Sequence, residues 1–89
     1  MLLIRHNLSG VWFGEFTREG DEWVGTARRL RRWHGPSDCS GIAAGAPLKN
    51  GTYSTPAVQV RLTVAQTCEV LTCTTRGAES LTSVEVRDE

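Results

Sequence analysis

The run Val58-Gln59-Val60-Arg61-Leu62-Thr63-Val64 alternates apolar and polar residues without a break. Successive side chains on a strand point to opposite faces, so a period of two places one face against a core and the other toward water. This segment, taken from Ala57 to Val64, is the clearest strand of the chain, and it requires a sheet around it.

The neighbours are legible in outline. Met1 to His6 reads as an edge strand. Gly10 to Thr17 is rich in aromatic and β-branched residues, which suit a pleated surface, and Gly14 within it marks a bulge or a close backbone approach. Arg18-Glu19-Gly20-Asp21 is a hairpin connection in which Gly20 can take a positive φ. Glu22 to Trp33 then returns as a long strand. Strict alternation puts Trp23, Gly25, Ala27, Arg29, Arg31 and Trp33 on one face and Val24, Thr26, Arg28, Leu30 and Arg32 on the other. A helix through Thr26 to Trp33 is the competing reading. It would spread the arginines around the cylinder, and the approach through Trp23-Val24-Gly25-Thr26 favours the strand. Thr67 to Thr72 is a further strand, bent away near Ala65-Gln66.

Gly35-Pro36 breaks the long strand. Ser37 is placed to cap a short helix running to Ala44, with Asp38 in its first turn, Gly45 just past its end and Pro47 preventing continuation. Lys49-Asn50-Gly51-Thr52 reads as a turn or loop. Thr74 to Leu81 allows one or two helical turns, weakened by Gly77, and Val84 to Val86 can add a last pairing. The expected architecture is α+β. It is a small twisted antiparallel sheet of about five strands, with one short helix after the third strand and another near the C-terminus.

Eighty-nine residues are expected to form one domain, 1–89, with a thin core that a homo-oligomer would enlarge. Hydrophobic content of 39% and charge of 22% fit a folded chain and argue against disorder. No segment approaches the roughly 18 apolar residues that span a bilayer, so no membrane partner is expected. Met1-Leu2-Leu3-Ile4, closed by Arg5, is too short for the apolar region of a signal peptide, which points to the cytoplasm. The cysteines, Cys39, Cys68 and Cys73, are odd in number and do not suggest a disulfide framework. Nor do they form a zinc set with His6 and His34, so no metal and no cofactor is expected.

The chemistry is concentrated in Arg28, Arg29, Arg31 and Arg32, followed by Trp33, His34 and Gly35. Nine of the ten strong bases are arginine, and the formal net charge is zero. A guanidinium fits phosphate bidentately and also lies flat on aromatic rings. A local cluster in a neutral chain points to a local anion site. The bland alternative is a solvated strand face with arginine stems packed on tryptophan. Polymeric nucleic acid calls for a broader basic surface and is disfavoured. A cyclic di- or trinucleotide needs only a few guanidinium forks and a stacking plane. On that reading Arg28, Arg29, Arg31 and Arg32 hold phosphates, Trp33 stacks on a base and His34 donates to phosphate. Ser37 and Ser40 stand near helix N–H groups that attract anions, and Tyr53, in a loop, closes over the ligand. No nucleophile elbow, phosphate-cradling lysine loop or metal-ligand cluster is present, so catalysis is not expected.

The motifs Gly10-Val11-Trp12-Phe13-Gly14, Ala27-Arg28-Arg29-Leu30-x-x-Trp33-x-Gly35, the Ser37–Gly45 helix and Cys73-Thr74 occur in this order from about Ser9 to Leu81. In that order and spacing the chain resembles a family of small phage and prophage proteins. Where that family usually carries aromatic residues, this chain has Arg31 and Arg32. By size, implied origin and the arginine–aromatic strand it is also similar to viral sponge proteins, which sequester the cyclic nucleotides of bacterial anti-phage immunity. The resemblance implies a protein of the host cytoplasm that captures a cyclic nucleotide without cleaving it. The alternatives are a module masking an acidic host protein and a small DNA-binding protein.

Overall fold

A computed structural model of the chain describes residues 1–88. The strands are β1 (Leu2–His6), β2 (Gly10–Glu19), β3 (Glu22–Arg32), β4 (Tyr53–Ser54), β5 (Val58–Thr63), β6 (Thr67–Thr72) and β7 (Glu85–Val86). The helices are α1 (Cys39–Ala44) and α2 (Thr75–Thr82), and a single 3-10 turn covers Val64–Gln66. The α+β class holds. The sheet has seven strands in place of the expected five or so: β4 is a two-residue pairing that carries no periodic signal, and β7 is the last pairing that Val84 to Val86 could add.

The long hairpin β2–β3 is the spine of the fold. Its register runs unbroken from Val11 opposite Leu30 to Glu19 opposite Glu22. Gly20 closes the turn at φ 60°. β3 is long enough to take two partners on its outer edge. β5 pairs with Glu22 to Ala27, and β4 with Leu30 and Arg32. On the other side β1 lies between β2 and β6. β1 is therefore interior to the sheet, and β6 takes the edge position expected for it. Val70, on the outward face of β6, is 38% exposed.

The path β6-β1-β2-β3-β5 ends in two strands separated by three residues, Val64–Gln66. The sheet must curl for its ends to meet at that turn, and no β5–β6 ladder forms among the described residues. Gly14 and Gly25 are the points of closest backbone approach in the β2–β3 hairpin. A Cβ at Gly14 would collide with the Thr26 carbonyl oxygen, and one at Gly25 with the Glu15 carbonyl oxygen. Only glycine permits the approach. Inside the curl Ile4, Ala27 and Leu62 are buried without a helix over them.

The opposite face carries the main core. Leu3, Val11, Phe13 and Leu30 meet Cys39, Ile42 and Ala43 of α1 and Leu81 of α2. α1 begins one residue later than a Ser37 cap implied, and its cap is Asp38. The Asp38 Oδ1 accepts from Gly41 N at 2.9 Å and from Ser40 Oγ at 2.7 Å. Gly45 closes the helix at φ 94°, as its position implied. Thr74 caps α2 by accepting from Gly77 N at 3.0 Å. Gly77 is required there, since a Cβ would strike the Ala43 carbonyl oxygen of α1. The residue that weakens the helix by propensity is the one that lets the two helices touch.

Candidate functional site

The arginine run sits at the end of β3, and strand geometry divides it. Arg28 faces the helix side. Its Nε donates to Ser54 Oγ at 2.8 Å, its NH1 to the Thr82 carbonyl at 3.3 Å and its NH2 to the Val84 carbonyl at 2.6 Å. The guanidinium lies 4.9 Å from the centroid of Phe13, its cross-strand partner. Burial lowers its pKa from the ordinary arginine value. These contacts satisfy free carbonyls at the end of α2 and hold the C-terminal segment to the sheet. Arg28 is thus a structural clasp, not the phosphate fork the sequence suggested.

Arg29 faces the other way. It lies 5.9 Å over the ring of Trp12, again its register partner. Trp12 is held in place by a chain of hydrogen bonds. Its Nε1 donates to Ser9 Oγ at 2.9 Å, and Ser9 Oγ lies 2.9 Å from His6 Nδ1. The Ser9 backbone N–H also donates to His6 Nδ1, at 3.2 Å. An N–H can only donate, so Nδ1 is the acceptor and Nε2 carries the proton. That Nε2 is buried without a partner among the described residues.

Arg31 is a bulge residue. Leu30 pairs with Ser54 and Arg32 with Tyr53, leaving Arg31 as the extra position. A bulge re-aims the side chains beyond it. Trp33 therefore packs against the helix-side cluster with Leu30, whereas strict alternation would have grouped it with Arg29 and Arg31. Its Nε1 donates to the Pro36 carbonyl at 3.2 Å, which fixes the indole. Arg32 and His34 are exposed. The His34 backbone bonds Thr52 and Lys49, which ties the loop after β3 to the strand's end. Ser37 is exposed beside a second groove. Tyr53 belongs to β4, not to a loop, and the Arg87 guanidinium covers its ring at 4.2 Å. The plane expected to close over a ligand is already stacked.

A groove of about 370 Å³ brings together Gly10, Val11, Arg29, Leu30, Arg31 and Trp33. Gly10 has φ 95° and no side chain, and a Cβ there would come within 3.3 Å of Arg29 Nε. This bare position lines a notch at the sheet's end beside Arg29. Val11 and Leu30 form an apolar floor. Arg29 and Arg31 both border the groove. Gly10, Val11 and Leu30 were not among the expected site residues. The signal for Gly10 was a glycine opening a β-rich segment. Nothing in the sequence showed that Arg31 would bulge.

Among the described residues no group of His, Cys, Asp or Glu is arranged to hold a metal ion. No helix among them is long and apolar enough to cross a membrane.

Fold and groove together define a small α+β protein with a mostly antiparallel curled sheet and an arginine- and tryptophan-lined notch at one end. The chain belongs to the family described as "Domain of unknown function (DUF6948)", whose model matches residues 1–81. No curated protein and no solved structure matches the chain.

Proposed function

We propose that this chain is a binding protein for a small phosphorylated ligand, held in the notch between the start of β2 and the end of β3. The observation that carries this reading is the placement of Arg29 and Arg31 beside Trp33 over an apolar floor. Guanidinium forks take phosphate oxygens, and an indole edge or face accommodates a base. Of the arginines first considered, Arg29 and Arg31 are the phosphate ligands and Arg28 is not. Arg32 and His34, exposed on the adjoining loop, extend the basic rim.

The guest class is a cyclic di- or trinucleotide, captured intact as a phage-type sponge would capture an immune signal. The small size of the notch, about 370 Å³, supports it over polymeric nucleic acid, which needs a longer basic track. Calorimetry with a panel of cyclic di- and trinucleotides, followed by mass analysis of the recovered ligand, tests the reading. Heat with at least one member and an unaltered ligand supports it. No heat with any member removes it, and a cleaved product replaces it with a hydrolase.

A further inference from the structure

We infer that the outer edge of β5 is a self-association surface, on which β5 of a second copy pairs antiparallel across a two-fold axis at Val60. β5 pairs with β3, and among the described residues no strand takes its other side. The direction of its backbone groups follows from the ladder. The Arg29 carbonyl accepts from Thr55 N at 2.9 Å, and the Asp21 carbonyl from Val64 N at 2.8 Å. The odd-numbered residues of β3 thus turn their backbone bonds toward β5, where Trp23, Gly25 and Ala27 stand opposite Leu62, Val60 and Val58. Gln59, Arg61 and Thr63 therefore point their N–H and C=O groups outward. The Thr67 hydroxyl donates to the Thr63 carbonyl at 2.9 Å, which fits that direction and satisfies one of these groups. The groups of Gln59 and Arg61 form the edge that a further strand can use.

The side chains of β5 select a second copy as the occupant. Val58, Val60 and Leu62 lie on the face shared with Trp23 and Ala27, and Val58 is 48% exposed. Two registers keep most of β5 paired with its own copy. An axis at Arg61 sets two guanidinium groups directly opposite each other, which is destabilising. An axis at Val60 sets Gln59 against Arg61 of the second copy, Val60 against Val60 and Val58 against Leu62. The Gln59 and Arg61 positions then exchange their outward backbone bonds, and the valines meet at the closer, non-hydrogen-bonded spacing. A charge on an edge strand ordinarily discourages such pairing. Here Arg61 is balanced by Glu22, with NH1 3.1 Å from Oε1, and the side-chain carbonyl of Gln59 adds an acceptor. Apolar residues meet apolar residues and no like charges are opposed, so the strand is complementary to itself under two-fold symmetry.

The interface does not depend on the phosphate reading, because β5 pairs with Glu22 to Ala27 and the notch lies beyond them at Arg29 and Arg31. The test is analytical ultracentrifugation of the full chain over a concentration series, with the variants Gln59→Glu, Gln59→Arg and Gln59→Pro. The expected result is a reversible dimer. Gln59→Glu, opposite Arg61 of the second copy, should tighten it by roughly three- to tenfold, and Gln59→Arg should weaken it by a similar factor. Gln59→Pro removes an outward N–H and leaves the β3–β5 ladder intact, so it should give a folded monomer, which circular dichroism checks. A monomer at every concentration overturns the interface. So does a dimer that responds alike to Gln59→Glu and Gln59→Arg, or one that persists in a folded Gln59→Pro. The glutamate and arginine comparison decides the matter even where the proline variant fails to fold.

Discussion

Arg28 and Arg29 are neighbours in the chain and lie on opposite faces of the sheet, each over the ring directly across the hairpin: Arg28 over Phe13 and Arg29 over Trp12. Arg18 repeats the arrangement over its own partner, Trp23, at 5.8 Å. A slip of one residue would separate all three pairs and exchange the faces. Part of the arginine cluster thus serves the hairpin register.

The two neighbours should separate in mutational tests. Arg28→Ala leaves the Thr82 and Val84 carbonyls and Ser54 without their charged donor. It is expected to cost about 2–3 kcal/mol in urea unfolding. Arg29→Ala removes one solvent-facing ring contact and should cost about 0.5–1 kcal/mol while lowering phosphate affinity. Equal stability losses would show that Arg28 is not the clasp described.

Gly14→Ala and Gly25→Ala should each destabilise the fold by more than about 3 kcal/mol, because the added methyl meets partner-strand backbone that cannot move without uncurling the sheet. Gly20→Ala, at the hairpin tip, meets nothing within 4 Å and bears only the strain of its positive φ. It should cost about 1 kcal/mol. Thermal melts of the three variants give the order.

Asp38 and Glu85 both have lowered pKa values, Asp38 chiefly through the Gly41 N–H and Glu85 through its bond to Arg87. The folded state therefore holds these groups as carboxylates to lower pH than the unfolded state does. Their contribution is complete above the unfolded carboxylate range, about pH 4, and is lost as pH falls through the folded values. Melting temperature should fall below that pH with a shallower slope in Asp38→Asn. Asp38→Ala, which lacks a capping oxygen, should melt lower than Asp38→Asn at neutral pH.

The thiols should react in the order Cys68, Cys73, Cys39. Cys68 is exposed, whereas burial raises the pKa of both Cys73 and Cys39. One fast equivalent with a thiol reagent in the native state, assigned to Cys68 by peptide mapping, is the expected outcome. Rapid modification of Cys39 would mean that α1 lifts from the sheet.

Local features carried most of the elements. Val58 to Leu62 alternate because the two sides of β5 meet different media. Gly45 and Thr74 stand where helix ends need a positive φ or a side-chain acceptor, and Gly20 where a hairpin turns. Those requirements lie within a few residues and can be read off the chain. The choice of Asp38 over Ser37 as the cap was a near miss of the same local kind.

The features that the chain alone did not disclose depend on distant partners. Whether β1 lies at the edge or inside depends on β6, far along the chain, finding its free side. Arg28 is committed to carbonyls 54 and 56 positions later, so a residue that looks like a phosphate fork in the sequence is a clasp in the fold. The bulge at Arg31 arises only because β4 pairs with β3, and that bulge decides which way Trp33 points. Short-range stereochemistry determines which segments are strands and where helices stop. Long-range pairing decides which face each side chain occupies, because one extra residue in a ladder inverts everything after it.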